Sequence, residues 1–286
     1  MNQSTSPTSR FILNQLKSGC IDKNIKILDY GCGHGALVRA LRENGYDAFG
    51  ADIDDFWEEK IADFTDRELF DQQRIKIIQN DSTVDFPKYY FDVLICDMVV
   101  EHVVDKDCLF KAMRNLLKPG GVIYFFFPVK EGIREAHIKQ FFIHWLPKGK
   151  IRYMIAIVQR KLNIGKDNSG MPADEYVKMK LDGIDSNTHY EWYATTRRRL
   201  EKLFKIEEIE ADFITQRLAE KGMGLLISLV KIPILKVIIN SAFRIYSFAV
   251  LRAVVKRRIK SGAEPIAHKT VSIGKFKQHS KQLLFE

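Results

Sequence analysis

Short apolar segments alternate with amphipathic ones through the first half of the chain. Runs of strand-forming residues are separated by stretches in which apolar residues recur with the spacing of a helix. This alternation predicts a parallel sheet with helices packed on both of its faces. The predicted strands cover residues 27–30, 46–52, 74–80, 91–97 and a segment after residue 121, and the predicted helices cover residues 10–18, 36–44 and 105–117, with shorter helical pieces at 55–64 and 66–70.

The second half of the chain is less regular. An aromatic and basic stretch after Pro128 leads into a predicted polar loop over residues 163–181. A helix is expected over residues 196–204, and residues 205–213 alternate as a sixth strand. A seventh, antiparallel strand is predicted at residues 267–274.

A glycine-rich turn joins the first predicted strand to the helix that follows it. Gly31, Gly33 and Gly35 stand where a chain leaving a parallel strand must turn sharply and let a ligand approach the backbone. Their G-x-G-x-G spacing differs from the G-x-G-x-x-G of dinucleotide-binding turns, which argues against NAD. Asp29 is the last acid before the turn, and its carboxylate suits an ammonium group better than a pyrophosphate. The turn therefore indicates a ligand with a cationic amino-acid end.

The stretch from Ile27 to Gly35 resembles motif I of the class I S-adenosylmethionine-dependent methyltransferases, an apolar strand followed by D-x-G-x-G-x-G. The resemblance continues to about residue 128. Asp52 closes the second strand about 20 residues after the turn, Asp81 follows the third strand, and the sequence K-P-G-G precedes the fifth. The resemblance implies an α/β fold with a doubly wound, seven-stranded, mostly parallel sheet, and S-adenosylmethionine as the cofactor.

The resemblance also implies roles for individual residues. It places the glycine turn and Asp29 at the methionine portion of the cofactor, Asp52 at the ribose hydroxyls and Ile53 on the adenine ring. Asp81 and Ser82 would contact the adenine edge, where an acid can accept from the exocyclic amine. The full implied set of cofactor-binding residues is Asp29, Gly31, Cys32, Gly33, Gly35, Asp52, Ile53, Asp81, Ser82 and Asp97.

The segment after the fourth strand bears on the methyl acceptor. Residues 97–103 read D-M-V-V-E-H-V, which resembles the E-H-V of many methyltransferases that act on small molecules and lipids. The D-P-P-Y motif of enzymes that methylate planar amino groups is absent, and Cys96 lacks a flanking proline, which leaves a covalent pyrimidine C5 mechanism unsupported. An oxygen acceptor must lose its proton, and His102 has the pKa of a general base, although a histidine here is often structural. The other candidate catalytic residues are Glu101, His144, His189 and Tyr190.

Three functions remain open at this point. The first is an enzyme that methylates an oxygen of a small molecule, a lipid or a lipid-linked glycan. The second is a non-catalytic binding module with a methyltransferase-like fold. The third is an RNA methyltransferase, suggested by the net charge of +9. The complete cofactor motif favours the enzyme, and the even spread of the charge makes nucleic acid an unlikely partner.

The composition is that of an ordinary globular chain of 286 residues. The four cysteines form no C-x-x-C pair, and no histidine cluster has ligand spacing, so we expect neither a disulfide framework nor a metal site. The first nine residues lack the apolar core of a secretory signal. We therefore expect a cytoplasmic protein.

Residues 222–260 are unusually apolar for a segment near the end of such a domain. Lysines and arginines interrupt them, so no uncharged run reaches the ~18 residues of a spanning helix. The basic residues at the end of the segment suit a helical hairpin lying on an anionic membrane, which would make the protein peripheral on the inner face of the membrane. A helical lid or a homodimer face is the alternative.

These patterns predict one methyltransferase domain with an insertion. The predicted domain comprises residues 1–221 and 265–286, with a cofactor half at 10–128 and a substrate-side region at 129–200, and the predicted helical insertion covers residues 222–264.

Overall fold

Seven strands form one sheet in the computed structural model of the protein, which describes residues 6–19, 22–53, 69, 72–165, 170–230 and 232–256. The strands are β1 (Lys26–Tyr30), β2 (Asp47–Asp52), β3 (Ile75–Ile77), β4 (Phe91–Asp97), β5 (Leu117–Phe127), β6 (Phe204–Glu208) and β7 (Ala249–Val255). Their order across the sheet is β3-β2-β1-β4-β5-β7-β6. The first five strands pair in parallel, and β7 runs antiparallel to both β5 and β6. The predicted fold class is therefore confirmed.

Helices cover both faces of this sheet. They are α1 (Pro7–Ser18), α2 (Ala36–Glu43), α3 (Lys106–Leu116), α4 (Lys150–Lys161), α5 (Ala173–Asn187), α6 (Tyr193–Glu201), α7 (Glu210–Glu220), α8 (Gly224–Val230) and α9 (Pro233–Tyr246). Two short 3-10 turns lie at Val100–His102 and Ile143–Trp145.

The sheet has an apolar core on each face because successive strand residues point in opposite directions. In β4, Leu94 packs into one core, whereas Val93 and Ile95 pack into the other. Helix α3 covers the first face, for example with Phe110. Helices α1, α2 and α7 cover the second, where Phe213 of α7 is buried. With both faces covered, the central strands read as continuous apolar runs in the sequence.

Helix α1 begins three residues before its predicted start. The Ser9 backbone N–H donates to the hydroxyl oxygen of Ser6 at 3.0 Å, and Pro7 occupies the first helical position. Both features favour a helix start at this point.

The seventh strand lies earlier in the chain than predicted. Ala249–Val255 fills the gap between β5 and β6, with Val254 opposite Val122. The prediction of this strand at residues 267–274 is therefore wrong, and those residues lie outside the described part of the chain. The error arose because β7 is buried on both faces, and such an apolar run cannot be distinguished from a buried helix by periodicity alone. The helices of the predicted insertion end at Tyr246.

Other boundaries also differ from the prediction; for example, the third strand covers only Ile75–Ile77 and the fifth begins at Leu117. Helix α5 occupies much of the predicted polar loop at 163–181 and continues to Asn187. The sixth strand ends at Glu208 because α7 begins two residues later. The helix predicted at 196–204 begins at Tyr193 and ends at Glu201. The helical pieces predicted at 55–64 and 66–70 fall outside the described residues, apart from Leu69.

The helices between β6 and β7 are short or strongly bent. Within the described ranges, no helix by itself has both the length and the apolarity that a bilayer crossing requires. Helices α8 and α9 meet these criteria only when they are taken together, and the pair is bent by 103°.

Candidate active site

The glycine-rich turn after β1 is fastened to the end of β2. The backbone N–H groups of Gly31 and Cys32 both donate to the Ala51 carbonyl, at 2.7 and 3.0 Å. The Gly33 N–H donates to Oδ2 of Asp52 at 2.6 Å. The turn and the predicted ribose-binding acid therefore form one hydrogen-bonded unit.

Both backbone conformation and close packing require glycine in this turn. The φ angles are 83° at Gly31, 51° at Gly33 and 75° at Gly35, all in the region that favours glycine. A Cβ atom on Gly31 would lie 2.1 Å from Cγ2 of Val99, in the loop after β4. A Cβ atom on Gly50 of β2 would lie 2.7 Å from Sγ of Cys32. The loops after β1 and β4 thus touch directly.

Three carboxylates meet where β1, β2 and β4 end. Burial, followed by the charges of Asp97 and Asp52, raises the pKa of Asp29 well above its ordinary value. Burial raises the pKa of Asp97 to about 6, against a hydrogen bond from the Thr8 side chain. Burial also raises the pKa of Asp52, although backbone N–H groups donate to it. Carboxylates that are buried together favour a positively charged ligand, which relieves their mutual repulsion.

This arrangement fits S-adenosylmethionine, whose sulfonium and ammonium groups are both positive. Oδ1 of Asp97 is buried and lacks a hydrogen-bond partner among the described residues. The two oxygens of Asp52 accept from the Gly33 and Ile53 N–H groups, and each keeps a lone pair for a hydroxyl group. The chemistry of the three carboxylates therefore suits a cationic amino-acid end and a ribose.

The residues predicted to contact the adenine have surroundings that indicate a ligand less clearly. The Ile53 side chain is 51% exposed just beyond β2 and is available to pack on a ring. Oδ1 of Asp81 accepts from the backbone N–H and the hydroxyl of Thr83, at 3.0 and 2.6 Å, so it stabilises its own turn. Ser82 is buried, and its carbonyl accepts from the Tyr30 hydroxyl at 2.7 Å. The adenine contacts of Ile53, Asp81 and Ser82 stay predictions.

A histidine pair lies on the predicted acceptor side of the site. Nδ1 of His102 is 2.7 Å from the Asn187 carbonyl, which can only accept, so this nitrogen carries the proton and Nε2 has a free lone pair. Nε2 of His102 lies 3.4 Å from Nε2 of His137, which follows β5. The buried carboxylate of Glu101 joins them, and one ligand atom from each of the three side chains lies within 4.8 Å of the others.

The environment shifts the pKa values of this group. Burial lowers the pKa of the His102 imidazole and raises the pKa of Glu101 to about 8. The hydrogen bond to Glu135 raises the pKa of His137.

A carboxylate and a phenol hold His137 in place. Nδ1 of His137 donates to Oε1 of Glu135 at 3.0 Å and lies 2.9 Å from the Tyr190 hydroxyl, which itself donates to Glu135. Glu135 also accepts the backbone N–H groups of His137 and Ile138. Burial, followed by the charge of Glu135, raises the pKa of Tyr190. Tyr190 therefore acts here on the orientation of His137 rather than as a free base.

The two remaining predicted histidines differ in their surroundings. The His144 ring is centred 5.3 Å from the Tyr190 ring, and both of its nitrogens are buried beside the backbone of Lys130 and Gly132. His189 takes part through its backbone: its N–H donates to the Glu101 carbonyl at 2.6 Å, and its carbonyl accepts from Nζ of Lys106 at 2.8 Å. His144 therefore lies in the acceptor region, and His189 fixes the loop that surrounds it.

The sequence reasoning missed His137, Glu135 and Asn187. They lie in the less regular region after β5, where no motif singles them out. The predicted sheet topology was the signal that could have indicated the loop after β5, because loops that follow parallel strands meet at the same edge of the sheet.

A sequence profile of the methyltransferase domain matches residues 7–156, which is just over half of the chain. The chain belongs to the methyltransferase domain family. This result confirms the predicted family and, with it, S-adenosylmethionine as the cofactor of the methyltransferase.

Individual relatives were also compared. The methyltransferase is 31% identical over 146 residues to a ubiquinone biosynthesis O-methyltransferase of Idiomarina loihiensis, an alignment that spans 48% of the chain and 60% of that relative. It is 29% identical over 192 residues to the enzyme of the same name from Saccharophagus degradans, across 64% of the chain and 79% of the relative. A solved S-adenosylmethionine-dependent methyltransferase from Mesorhizobium loti shares 18% identity and gives a TM-score of 0.49, covering 88% of the chain and 100% of that protein.

Proposed function

We propose that this methyltransferase transfers the methyl group of S-adenosylmethionine to an oxygen atom of a hydroxylated small molecule or lipid. The observation that carries the proposal is the 2.7 Å distance between Nδ1 of His102 and the Asn187 carbonyl oxygen, which puts the proton on Nδ1 and leaves Nε2, in the loop after β4, able to accept one. This loop also packs on the glycine turn through Val99, so acceptor-side and donor-side groups share one sheet edge. Two relatives named ubiquinone biosynthesis O-methyltransferase support oxygen as the acceptor atom.

The reaction needs alignment and removal of one proton. The acceptor oxygen attacks the methyl carbon in line, and the electron pair of the broken carbon–sulfur bond stays on sulfur. Asp29, Asp52 and Asp97 would hold the donor, while the Nε2 atoms of His102 and His137 mark the point where the acceptor hydroxyl loses its proton. The sulfur of S-adenosylmethionine is positively charged, whereas the sulfur of its demethylated product is neutral. The carboxylates therefore also favour binding of the cofactor over binding of this product.

A membrane-borne acceptor is supported by the unusual polarity of α9. Its buried side chains are polar: Asn240 accepts the Ala211 N–H at 2.8 Å, and Nε of Arg244 donates to Glu210 at 2.8 Å. Most of its exposed side chains are apolar, and on α8 Leu225 is 88% exposed. The exposed apolar residues of α9 include Ile234, Val237 and Ile238, at 75%, 66% and 57%. An amphipathic helix that is anchored by its polar side needs an apolar environment for the other.

The positive charge beside this apolar surface indicates the kind of surface that α9 would bind. Lys236 lies on α9, where its Nζ is 3.9 Å from Asp212, and the sequence carries further basic residues after β7 ends at Val255. Cations beside an exposed apolar helix suit the anionic head groups of a bilayer. We therefore propose a cytoplasmic protein that lies peripherally on the inner face of the membrane through α8 and α9.

The insertion also contacts the acceptor side of the site. The Ile133 N–H donates to the Ile245 carbonyl at 2.8 Å, which joins the end of α9 to the loop that carries His137. Ile133 in turn accepts the N–H of Phe142, whose exposed ring lies 5.1 Å from Trp145. Apolar side chains therefore extend from α9 to the loop around the acceptor groups, which suits a substrate with a lipid tail.

Transfer of a labelled methyl group tests the proposed reaction. The protein should convert methyl-labelled S-adenosylmethionine and a polyprenyl-substituted phenol in anionic vesicles into a product whose methyl carbon has the NMR shift of an ether. His102→Ala should lower the turnover more than the affinity for the cofactor. Label found only on nitrogen or carbon, or only in added RNA, would refute the proposal.

A further inference from the structure

Two imidazoles and one carboxylate converge on a common point at the acceptor side of the site. The Nε2 atoms of His102 and His137 are 3.4 Å apart, and an oxygen of Glu101 lies within 4.8 Å of a ring nitrogen of each histidine. These side chains come from two different loops, after β4 and after β5. Two histidines and one carboxylate with open positions are a frequent ligand set for divalent transition metals.

The other nitrogen of each imidazole is already engaged. Nδ1 of His102 donates to the Asn187 carbonyl at 2.7 Å, and Nδ1 of His137 donates to Glu135 at 3.0 Å. Metal-bound histidines almost always donate their second N–H to a carbonyl or carboxylate in this way, since the bond fixes both the tautomer and the ring orientation. In the neutral imidazoles, both Nε2 atoms therefore keep a lone pair for a ligand.

Glu101 provides a second, independent indication. Its side chain is 2% exposed, and neither carboxylate oxygen has a hydrogen-bond partner among the residues that the structure describes. A buried carboxylate without a partner carries a large desolvation cost, which a bound cation would offset. Glu101 makes the site electrically suited to a cation as well as correctly shaped for one.

We infer that Glu101, His102 and His137 bind a divalent transition-metal ion such as Zn²⁺ or Mn²⁺. With a metal ion about 2.1 Å from each Nε2 atom, the Nε2–metal–Nε2 angle would be about 108°, which is close to the tetrahedral value. Three protein ligands leave a position open for an oxygen.

This site deepens the proposed O-methylation and rests on it for its chemical role. The open position takes the acceptor hydroxyl oxygen, and the metal lowers the pKa of that hydroxyl, as it does for bound water. The O–H bond breaks and the proton leaves to solvent. The metal-bound oxygen then forms the new bond to the methyl carbon, and the carbon–sulfur electron pair remains on sulfur. His102 then serves as a metal ligand instead of taking the proton.

Cobalt substitution tests the site without the reaction. Co²⁺ added to chelator-treated full-length protein should bind once per chain and give the intense visible bands of a four-coordinate ion, which Zn²⁺ abolishes by competition. Glu101→Gln keeps the shape of a side chain whose carboxylate has no hydrogen-bond partner within the described ranges, so it should fold normally and lower Co²⁺ affinity by more than about 100-fold. Glu135→Gln, which loosens His137, should lower it by about 10- to 100-fold.

His144→Asn is the matched control, because His144 is a half-buried histidine of the same region outside the three-residue cluster. It should leave the Co²⁺ spectrum unchanged. If wild-type protein shows no tetrahedral spectrum, or if Glu101→Gln binds Co²⁺ as wild type does, the metal site is refuted. Methyl transfer measured on the same samples separates the two proposals, because a metal-free protein that still methylates a hydroxyl group refutes the metal's role in the reaction and leaves the proposed O-methylation standing.

Discussion

Nε2 of His137 lies 3.4 Å from Nε2 of His102, although 35 residues separate the two histidines in the chain. The loops after β4 and β5 meet at this point because the two strands are parallel neighbours in the sheet. The acceptor side of the site therefore depends on the sheet topology as much as on the motif that contains His102.

Loss of the Asp52 carboxylate should weaken cofactor binding. Asp52→Ala removes the acceptors for the ribose hydroxyls and releases the Gly33 N–H, so affinity for S-adenosylmethionine should fall by ~1.5–3 kcal/mol. Titration calorimetry measures this change. Asp47→Ala, at the opposite end of the same strand, is the control and should leave cofactor affinity unchanged. Equal affinities for wild type and Asp52→Ala would move the ribose site elsewhere.

The pH dependence of stability should report on Asp97. Because burial raises the folded-state pKa from 3.8 to about 6, folding favours the protonated acid. The resulting stability is fully present below pH 4 and is lost as the pH rises to about 6. At pH 8, the free energy of unfolding of Asp97→Asn in urea should therefore exceed that of wild type by on the order of 2 kcal/mol. The difference should disappear near pH 4.

Cofactor binding should offset the loss of stability that ionised Asp97 causes, because a cationic ligand favours the ionised carboxylate. Calorimetry near pH 6 in buffers of different ionisation enthalpy should show proton release when S-adenosylmethionine binds to wild type, and less release with Asp97→Asn. Proton uptake by wild type would contradict the assignment.

Gly31 should tolerate no side chain. Gly31→Ala places a methyl group 2.1 Å from Val99 at a φ of 83°, so we expect a loss of about 2–5 kcal/mol in the free energy of unfolding. Gly120 is the matched control, because its φ is 82° and its Cβ would meet no other atom of the described chain within 4 Å. Gly120→Ala should cost only about 1–2 kcal/mol. Similar losses for both variants in urea denaturation would show that the Val99 contact is unimportant.

The apolar surface of α9 should bind anionic vesicles. Each aliphatic side chain that enters the acyl boundary contributes about 1.5–3 kcal/mol when fully buried, and each nearby cation about 1 kcal/mol at low salt. Wild type should sediment with anionic liposomes, and a variant with Ile234, Val237 and Ile238 changed to Gln should stay in solution. Both should bind the cofactor equally.

Tyr89→Gln is the control for this surface. Tyr89 is 50% exposed, but it precedes β4 at the amino ends of the parallel strands, whereas the end of α9 contacts the loop after β5. It should sediment as wild type does. If wild type ignores liposomes and forms a dimer that the triple variant dissociates, α9 is a subunit interface and the membrane proposal fails.

Much of the donor side could be predicted from the sequence. The glycine turn, Asp29 and Asp52 lie on short motifs that follow strands, and both positive φ and close packing at Gly31 leave little choice of residue. Local pattern and local structure agree in this region, so the turn and its carboxylates could be located before the fold was known, while their contacts with the cofactor stay predictions.

The acceptor side and the end of the chain could not be predicted as well. His137 and Glu135 gain their roles from a loop that folds against the loop after β4, and no local pattern records such a long-range contact. Strand β7 was mistaken for part of the insertion because burial on both faces removes the alternation that marks a strand. The polar buried face of α9 likewise depends on Glu210 and Tyr193, which lie on other helices.

Calorimetric titration of the purified protein with S-adenosylmethionine, S-adenosylhomocysteine and NAD⁺ tests the central claim most directly. We predict that S-adenosylmethionine and its demethylated product each bind once per chain with micromolar-class affinity, and that NAD⁺ does not bind. Binding of NAD⁺ without binding of either sulfur ligand would contradict the account.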